Sequence, residues 1–240
     1  EEVVLSIQGY LVKSKLPPIT READIARTRA VHTEQYLRIT GLGSAQFSEA
    51  AVALMSIHQL FERRLGQGSL HQWDVKKEQG HIALDFHNQY LTTRENTSAA
   101  NIIDIPDDMD PFHILRRHIT DEVFTMDGLV KYYERVKPDN VAKPQFKKSH
   151  STAISVGQLV EIQTSFVAVP RGKGKYKMVC KLRSICVLDR SIENVSLFLY
   201  LKQTTKLWTG INRERVEQAL KQGSPTRKVK RVVGYDDDSD

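Results

Sequence analysis

The chain has only two cysteines among its 240 residues, which restricts the chemistry open to it. Cys180 and Cys186 fall in one predicted strand, where a rise of about 3.3 Å per residue puts their Cα atoms roughly 20 Å apart. A disulfide needs a Cα separation below about 7 Å, so the two should not pair with each other. The absence of Cys-x-x-Cys argues against the usual structural zinc site. Two small buried thiols fit a reducing compartment.

Long apolar runs are absent as well. The longest fall far short of the roughly 18 residues that span a bilayer. The first residues, Glu1-Glu2-Val3-Val4, include neither an initiator Met nor a basic-then-apolar signal pattern. We therefore expect an intracellular protein with no membrane contact, and the missing Met is compatible with a piece excised from a longer chain.

The common catalytic motifs are missing. There is no Gly-x-x-x-x-Gly-Lys-Ser/Thr phosphate loop, no Gly-x-Ser-x-Gly elbow and no His-Glu-x-x-His. Gly172-Lys-Gly174 fits a hairpin loop better than a dinucleotide cradle. These absences favour a protein without enzymatic activity and predict neither a cofactor nor a metal.

What the sequence does contain is a strong β-hairpin pattern over residues 156–188. Two alternating runs rich in β-branched residues flank the loop Arg-Gly-Lys-Gly-Lys. Alternate side chains of a strand point to opposite faces. The predicted apolar face of the second run consists of Tyr176, Met178, Cys180, Leu182, Cys186 and Leu188. The predicted cationic face consists of Lys175, Lys177, Lys181 and Arg183, and Arg171 and Lys173 lie at the loop.

Positive charge is concentrated around this hairpin. Residues 1–130 hold 13 Lys and Arg against 18 Asp and Glu, whereas residues 131–183 hold 12 against 3 and residues 184–240 hold 10 against 8. Local cationic density attracts phosphate backbones. A solvated Lys-rich edge strand that resists aggregation is the alternative interpretation.

Other patterns predict an α+β fold, with a mainly antiparallel sheet or small β-barrel, the long hairpin and packed helices. The most secure helix covers residues 44–65, capped by Ser44 or Ser48. Its predicted apolar side is Phe47, Val52, Leu54, Met55, Leu60 and Phe61. Strands are predicted at residues 1–12, 81–86, 101–105 and 129–136, a short helix at 20–29 and one or two helical turns at 112–117.

The chain divides into a predicted domain of residues 1–222 and a tail of residues 223–240. The domain can be subdivided into a mixed part at 1–130 and a β-rich basic part at 131–210. Residues 195–201 are apolar, and residues 212–222 predict an amphipathic helix. The tail is basic and then acidic, which is typical of disorder. The basic stretch 221–231 predicts a nuclear localisation signal or a phosphate-binding arm.

Three weaker groups of side chains suggest metal binding. His32 and Glu34 have the spacing of two legs of a facial triad. Asp85 and His87 share one face of a predicted strand with His81. A turn rich in carboxylates contains Asp107, Asp108 and Asp110. Structural uses, namely a polar outer face and a turn, are the alternatives for the last two groups.

Part of the chain resembles a known group of sequences. The resemblance is carried by Lys131-Tyr132-Tyr133-Glu134-Arg135, the run 156–163, Ser165-Phe166, Val169-Pro170, Lys177-Met178 and Leu182-Arg183. These stretches are similar to a family of uncharacterised open reading frames from mushroom-forming basidiomycete fungi, over roughly residues 118–190. The resemblance implies a fungal intracellular protein and transfers neither an activity nor a site residue.

The leading functional hypothesis is a non-enzymatic nucleic-acid-binding module. Arg171, Lys173, Lys175, Lys177, Lys181 and Arg183 would contact phosphates. Tyr132 or Tyr133 would stack on a base if exposed, and is otherwise a core residue. The alternative is a scaffold whose hairpin binds an acidic protein or a second copy of the chain. A third hypothesis is a metal-dependent enzyme that uses His32, Glu34, Asp85 and His87.

Overall fold

The computed structural model describes residues 2–136 and 144–190. The elements of this part of the chain are, in order, β1 (Leu5–Lys15), β2 (Glu34–Thr40), α1 (Ala45–Leu65), β3 (Lys76–Glu78), β4 (His81–Gln89), β5 (Leu91–Thr93), α2 (Ile114–Arg117), β6 (Glu122–Phe124), β7 (Lys131–Val136), β8 (Gln145–Lys148), β9 (Leu159–Pro170) and β10 (Tyr176–Asp189). Neither helix in these ranges is both long and apolar enough to cross a membrane. The segments predicted at residues 195–201, 212–222 and 223–240 lie outside the described residues.

Five strands close into a barrel. The order around it is β1, β2, β4, β10 and β9, and β9 returns to β1. All neighbours are antiparallel except β4 and β10, which pair in parallel at His87 and Lys181. Strands β3, β7 and β8 extend the sheet beyond the barrel, and β5 and β6 form a separate two-stranded sheet. The prediction of an α+β fold with a small barrel and a long hairpin is therefore confirmed.

Alternation along the barrel strands places one row of side chains in the core. Leu37 and Ile39 of β2 and Leu84 and Phe86 of β4 are almost fully buried. They join Ile162 of β9 in a cluster that takes members from both halves of the chain. Burial of such side chains is the main favourable term in folding.

A β-bulge corrects the predicted faces of β10. The register with β9 shifts between Leu182 and Ser184, so one extra residue moves the later side chains to the opposite face. Met178, Cys180 and Leu182 are buried as predicted. Beyond the bulge, Ile185 and Val187 join Leu182 in the barrel core. The assignment of Cys186 and Leu188 to that same face was wrong, although Cys180 and Cys186 are both buried and unpaired with each other.

Helix α1 begins after Ser44, as predicted, and packs on the barrel through a narrow stripe. Phe47, Ala51, Leu54 and His58 form its buried side. Val52, Met55 and Leu60, which the sequence assigned to the apolar side, are exposed. Glycines beside Phe47 allow the helix to approach closely: a Cβ on Gly41, the residue after β2, would lie 2.2 Å from the Cβ of Phe47, and a Cβ on Gly9 of β1 would lie 2.9 Å from its Cε2.

A second hydrophobic cluster lies under the long connections. Ile19, Ile25 and Val31 from the β1–β2 connection pack with side chains of the 90–124 region, among them Tyr90 and Leu115. The helix predicted at residues 20–29 is only a 3₁₀ turn at Glu22–Asp24. The strand predicted at residues 101–105 is reduced to a single bridge between Ile102 and Thr125.

The two candidate stacking tyrosines have structural contacts instead. Tyr133 of β7 is buried. The Tyr132 hydroxyl donates a hydrogen bond to Gln35 Oε1 at 2.5 Å, and its ring packs against the barrel core. The structure therefore favours the alternative that both are core residues.

Candidate nucleic-acid interface

The wall of the barrel opens between β4 and β10 into a cavity of about 520 Å³. Its third side is the polar segment after α1, where Leu70 bridges to Tyr176 and Trp73 lines the cavity. The floor includes Ala83, Met178 and Cys180. Burial raises the pKa of the Cys180 thiol to about 12, so this floor is neutral at ordinary pH. The volume lies in the range of small-ligand sites.

The hairpin tip presents cations to the cavity rim. Arg171 and Lys177 line the cavity, and neither side chain has a hydrogen bond or ion pair with any described residue. Lys173 is exposed in the tight loop, which is closed by the Lys175 N–H donating to the Gly172 carbonyl at 3.0 Å. The Lys175 amine instead donates to the carbonyl of Gly68. The tip therefore offers three of the six predicted cations to a ligand.

The base of the hairpin has its positive charges neutralised within the protein. Lys181 and Arg183 both pair with the carboxylate of Asp127, at 2.6 Å for Arg183, and Arg183 also pairs with Glu2. Burial alone would raise the pKa of Asp127, but hydrogen bonds from Lys181 and Arg183 hold it below its usual value. Two side chains hold the turn that contains Asp127 and Gly128 in place. Gln35 donates a hydrogen bond to the Gly128 carbonyl, and Asn88 donates one to the Asp127 carbonyl.

The neighbouring outer face of β2 and β4 is an ion-paired network. Arg38 forms two hydrogen bonds to Asp85, at 2.6 and 2.9 Å, and the Tyr36 hydroxyl donates to the same carboxylate. Burial raises the pKa of Asp85, but the bonds from Arg38 and Tyr36 outweigh it and hold that pKa below its usual value. Glu34 bonds to Nδ1 of His87 at 3.0 Å.

These pairings bear on the metal-site hypotheses. His32, Glu34, Asp85 and His87 do line the same cavity. Within residues 2–136 and 144–190, however, no group of three or more His, Cys, Asp and Glu side chains could hold a metal ion. In the third group, the Asp110 carboxylate accepts hydrogen bonds from the backbone N–H groups of Leu115 and Arg116 in the first turn of α2, donors that have no partner within the helix. Asp107 pairs with Arg116 and Asp108 with His150.

The carboxylates and the cations that line the cavity differ in whether they have an ion-pair partner. Three of the lining carboxylates pair with a lysine or arginine: Asp74 with Lys76, Asp85 with Arg38, and Asp127 with Lys181. The fourth, Glu34, contacts His87, which carries a charge only when it is protonated, so at most one lining carboxylate lacks a charged partner. In the part of the chain that the structure describes, the lining cations without a partner are Arg171 and Lys177. The uncompensated charge of the cavity is therefore positive.

The aromatic wall of the cavity was not predicted from the sequence. Trp73 is half-buried, and its ring meets that of His58 edge-on, with centroids 6.2 Å apart. The His58 Nε2 in turn contacts the carbonyl oxygen of His71 at 2.9 Å. The sequence did contain one indication of it, namely a tryptophan in the polar loop between α1 and β3. Binding residues are common on loops, and a large aromatic ring there is suited to contact a ligand or the core.

Comparisons with known proteins give few matches. No family model matches the chain, and no curated protein matches it. Among solved structures, it is similar to the crystal structure of gp2.5, a single-stranded DNA-binding protein encoded by bacteriophage T7. The two chains are 10% identical, and the match covers 87% of this chain and 100% of the other with a TM-score of 0.42.

Proposed function

We propose that this protein is a non-enzymatic nucleic-acid-binding module whose ligand contacts the cavity between β4 and β10 and the tip of the β9–β10 hairpin. The observation that carries the proposal is the positive charge of Arg171 and Lys177, which have no partner among the described residues, in a cavity where three of the four lining carboxylates pair with a lysine or arginine. A phosphate backbone is the complementary ligand, since it exchanges counterions for protein cations.

The position of the cavity supports the proposal by analogy of fold. Five-stranded Greek-key barrels of the OB type bind oligonucleotides on the face of their second and third strands and at the loops after strands one and four. In this barrel those strands are β2 and β4, and the loop after the fourth strand is residues 171–175. The cavity follows β4 and reaches that loop.

The tip cations have distinct roles in this proposal. Arg171 would form paired hydrogen bonds with a phosphate, and Lys177 would act as a point charge in the same cavity. Lys173 would extend the contact along the backbone. The basic stretch 221–231, which lies outside the described residues, would either add non-specific affinity as a phosphate-binding arm or act as a nuclear localisation signal.

Fluorescence anisotropy with labelled oligonucleotides at low and near-physiological salt tests the proposal. We expect micromolar or tighter binding by the parent protein that weakens as salt rises. The Arg171→Ala/Lys177→Ala variant should bind at least about tenfold more weakly at low salt, because both uncompensated cations of the cavity are removed.

A matched control removes two positive charges elsewhere. Arg27 and Lys147 are exposed, do not line the cavity and have no ion pair with a described residue. The Arg27→Ala/Lys147→Ala variant should therefore retain most of the affinity. Absence of binding by the parent, or an equal loss in the two double variants, would contradict the proposal and redirect the search to an acidic protein partner.

A further inference from the structure

We infer that the cavity binds an unpaired nucleobase stacked on the Trp73 indole, so that the ligand class is single-stranded nucleic acid. The inference rests on the proposed function and names its substrate class. It assigns the phosphates to Arg171 and Lys177 and the base to the space between Trp73 and β4.

Trp73 is held in place as a platform. One side of the residue packs against the barrel core cluster, and His58 contacts its ring edge-on at an interplanar angle of 68°. His58 is itself fixed by its contact with the carbonyl of His71. A ring held on these sides loses little freedom when a ligand stacks on the part that lines the cavity.

Polar side chains suited to the edge of a base line the same cavity as Trp73. The side-chain amides of Gln72 and Gln89 and the imidazoles of His32 and His71 line the cavity, and none has a partner among residues 2–136 and 144–190. An amide presents a donor and an acceptor together, which is the pattern that base edges require. A polyanion that lacks bases would leave these groups unused.

The geometry of nucleic acids decides between single strands and duplexes. In a duplex each base is stacked on both faces and paired along its edge, so it cannot lie on a protein ring without being extruded. Unpaired bases are free to stack on aromatic side chains. The combination of ring, amides and rim cations therefore fits a single strand.

The chain allows a direct optical test, because Trp73 and Trp208 are its two tryptophans. In the Trp208→Phe protein all indole fluorescence comes from Trp73. Single-stranded oligonucleotides should quench that fluorescence. An abasic oligonucleotide of the same length, a duplex and inorganic polyphosphate should leave it unchanged, and the abasic strand should bind about tenfold more weakly than the strand with bases.

Two substitutions at Trp73 test the ring separately from the fold. Trp73→Phe keeps an aromatic face and should retain most of the affinity for single strands. Trp73→Leu keeps apolar bulk but has no ring, and it should lose about tenfold for single strands while binding polyphosphate like the parent. Circular dichroism and thermal unfolding verify that each variant is folded.

The outcomes separate this inference from the proposed function. Equal affinity for strands with and without bases, with no quenching, overturns the stacking inference while leaving phosphate binding intact. Failure of the parent to bind any of the probes overturns the proposed function and this inference together.

Discussion

At the scale of single residues, Asp127 determines how much of the cationic hairpin a ligand can reach. Its carboxylate lies against both Lys181 and Arg183, and its carbonyl oxygen accepts a hydrogen bond from the Asn88 side chain of β4. The Gln35 side chain of β2 donates to the next carbonyl, that of Gly128. Gly128 reinforces this position, because a Cβ there would lie 2.8 Å from the carbonyl oxygen of Tyr90. Under the proposed function, Asp127 therefore occupies the cations at the base of the hairpin that a phosphate would otherwise contact.

Replacement of Asp127 by Asn should strengthen nucleic-acid binding if the proposed function holds. We expect affinity to rise about threefold to tenfold at low salt and the slope of log K against log salt to steepen by roughly one, since about one further cation becomes available. Anisotropy titrations at several salt concentrations measure both quantities. Glu49→Gln, an equal charge change at an exposed position of α1, is the control. Identical binding by the two variants would contradict the role of Asp127.

The sequence predicted which residues of β10 carry positive charge but not which of those charges are free. The alternation of side chains along a strand follows from the order of neighbouring residues in the sequence. It correctly placed Lys177 and Lys181 on the face opposite Met178 and Cys180. The partner of Lys181 lies 54 positions away, at Asp127. Such a pairing depends on how strands assemble, which alternation does not encode.

At the scale of elements, the bulge in β10 and the docking of α1 show where periodicity succeeds and fails. The helix at residues 45–65 and both hairpin strands were predicted because their patterns are long. The buried side of α1 was predicted only in part, since hydrophobicity alone cannot tell a residue facing the barrel, such as Ala51, from an exposed one, such as Val52. The face of α1 that is buried is the one that begins with Phe47, where Gly41 lets the helix and the end of β2 come close together.

A side chain at Gly41 should destabilise the contact between α1 and the barrel. Gly41→Ala places a Cβ 2.2 Å from the Cβ and 2.4 Å from the Cγ of Phe47, so the helix or the strand has to move. Overpacking of this kind costs about 1–3 kcal/mol in the free energy of unfolding. Urea denaturation of the variant and the parent measures the difference.

Gly9→Ala is the graded comparison for that variant. Its Cβ would lie 2.9 Å from the Cε2 of Phe47 and 3.1 Å from the carbonyl oxygen of Thr40, which are less severe overlaps than the 2.2 Å approach at Gly41. We expect a smaller loss than for Gly41→Ala. A larger loss for Gly9→Ala would show that the docking does not depend on the backbone approach at Gly41.

At the scale of the whole molecule, the barrel joins distant parts of the chain. Strands β1, β2 and β4 come from the first 89 residues, and β9 and β10 come from residues 159–189. The core cluster likewise combines Leu37 and Phe86 with Ile162 and Leu182. The closing contact between β4 and β10 has one paired position, and the candidate site lies where the wall opens beside it. The site therefore requires both parts of the chain.

It follows that residues 1–136 should not fold as an independent unit. Without β9 and β10, strand β1 loses its pairing over Leu5–Tyr10, and β4 and the core cluster lose the side chains that cover them. We expect the fragment to show no cooperative urea transition by circular dichroism, whereas the intact chain shows one.

The matched control is the intact chain with a protease site inserted between residues 139 and 140 and cut after folding, which keeps every strand. If the cleaved protein retains the transition and the fragment lacks it, the stability depends on the pairing between the two parts of the chain. A cooperative transition in the fragment by itself would instead show that residues 1–136 have a sufficient core of their own.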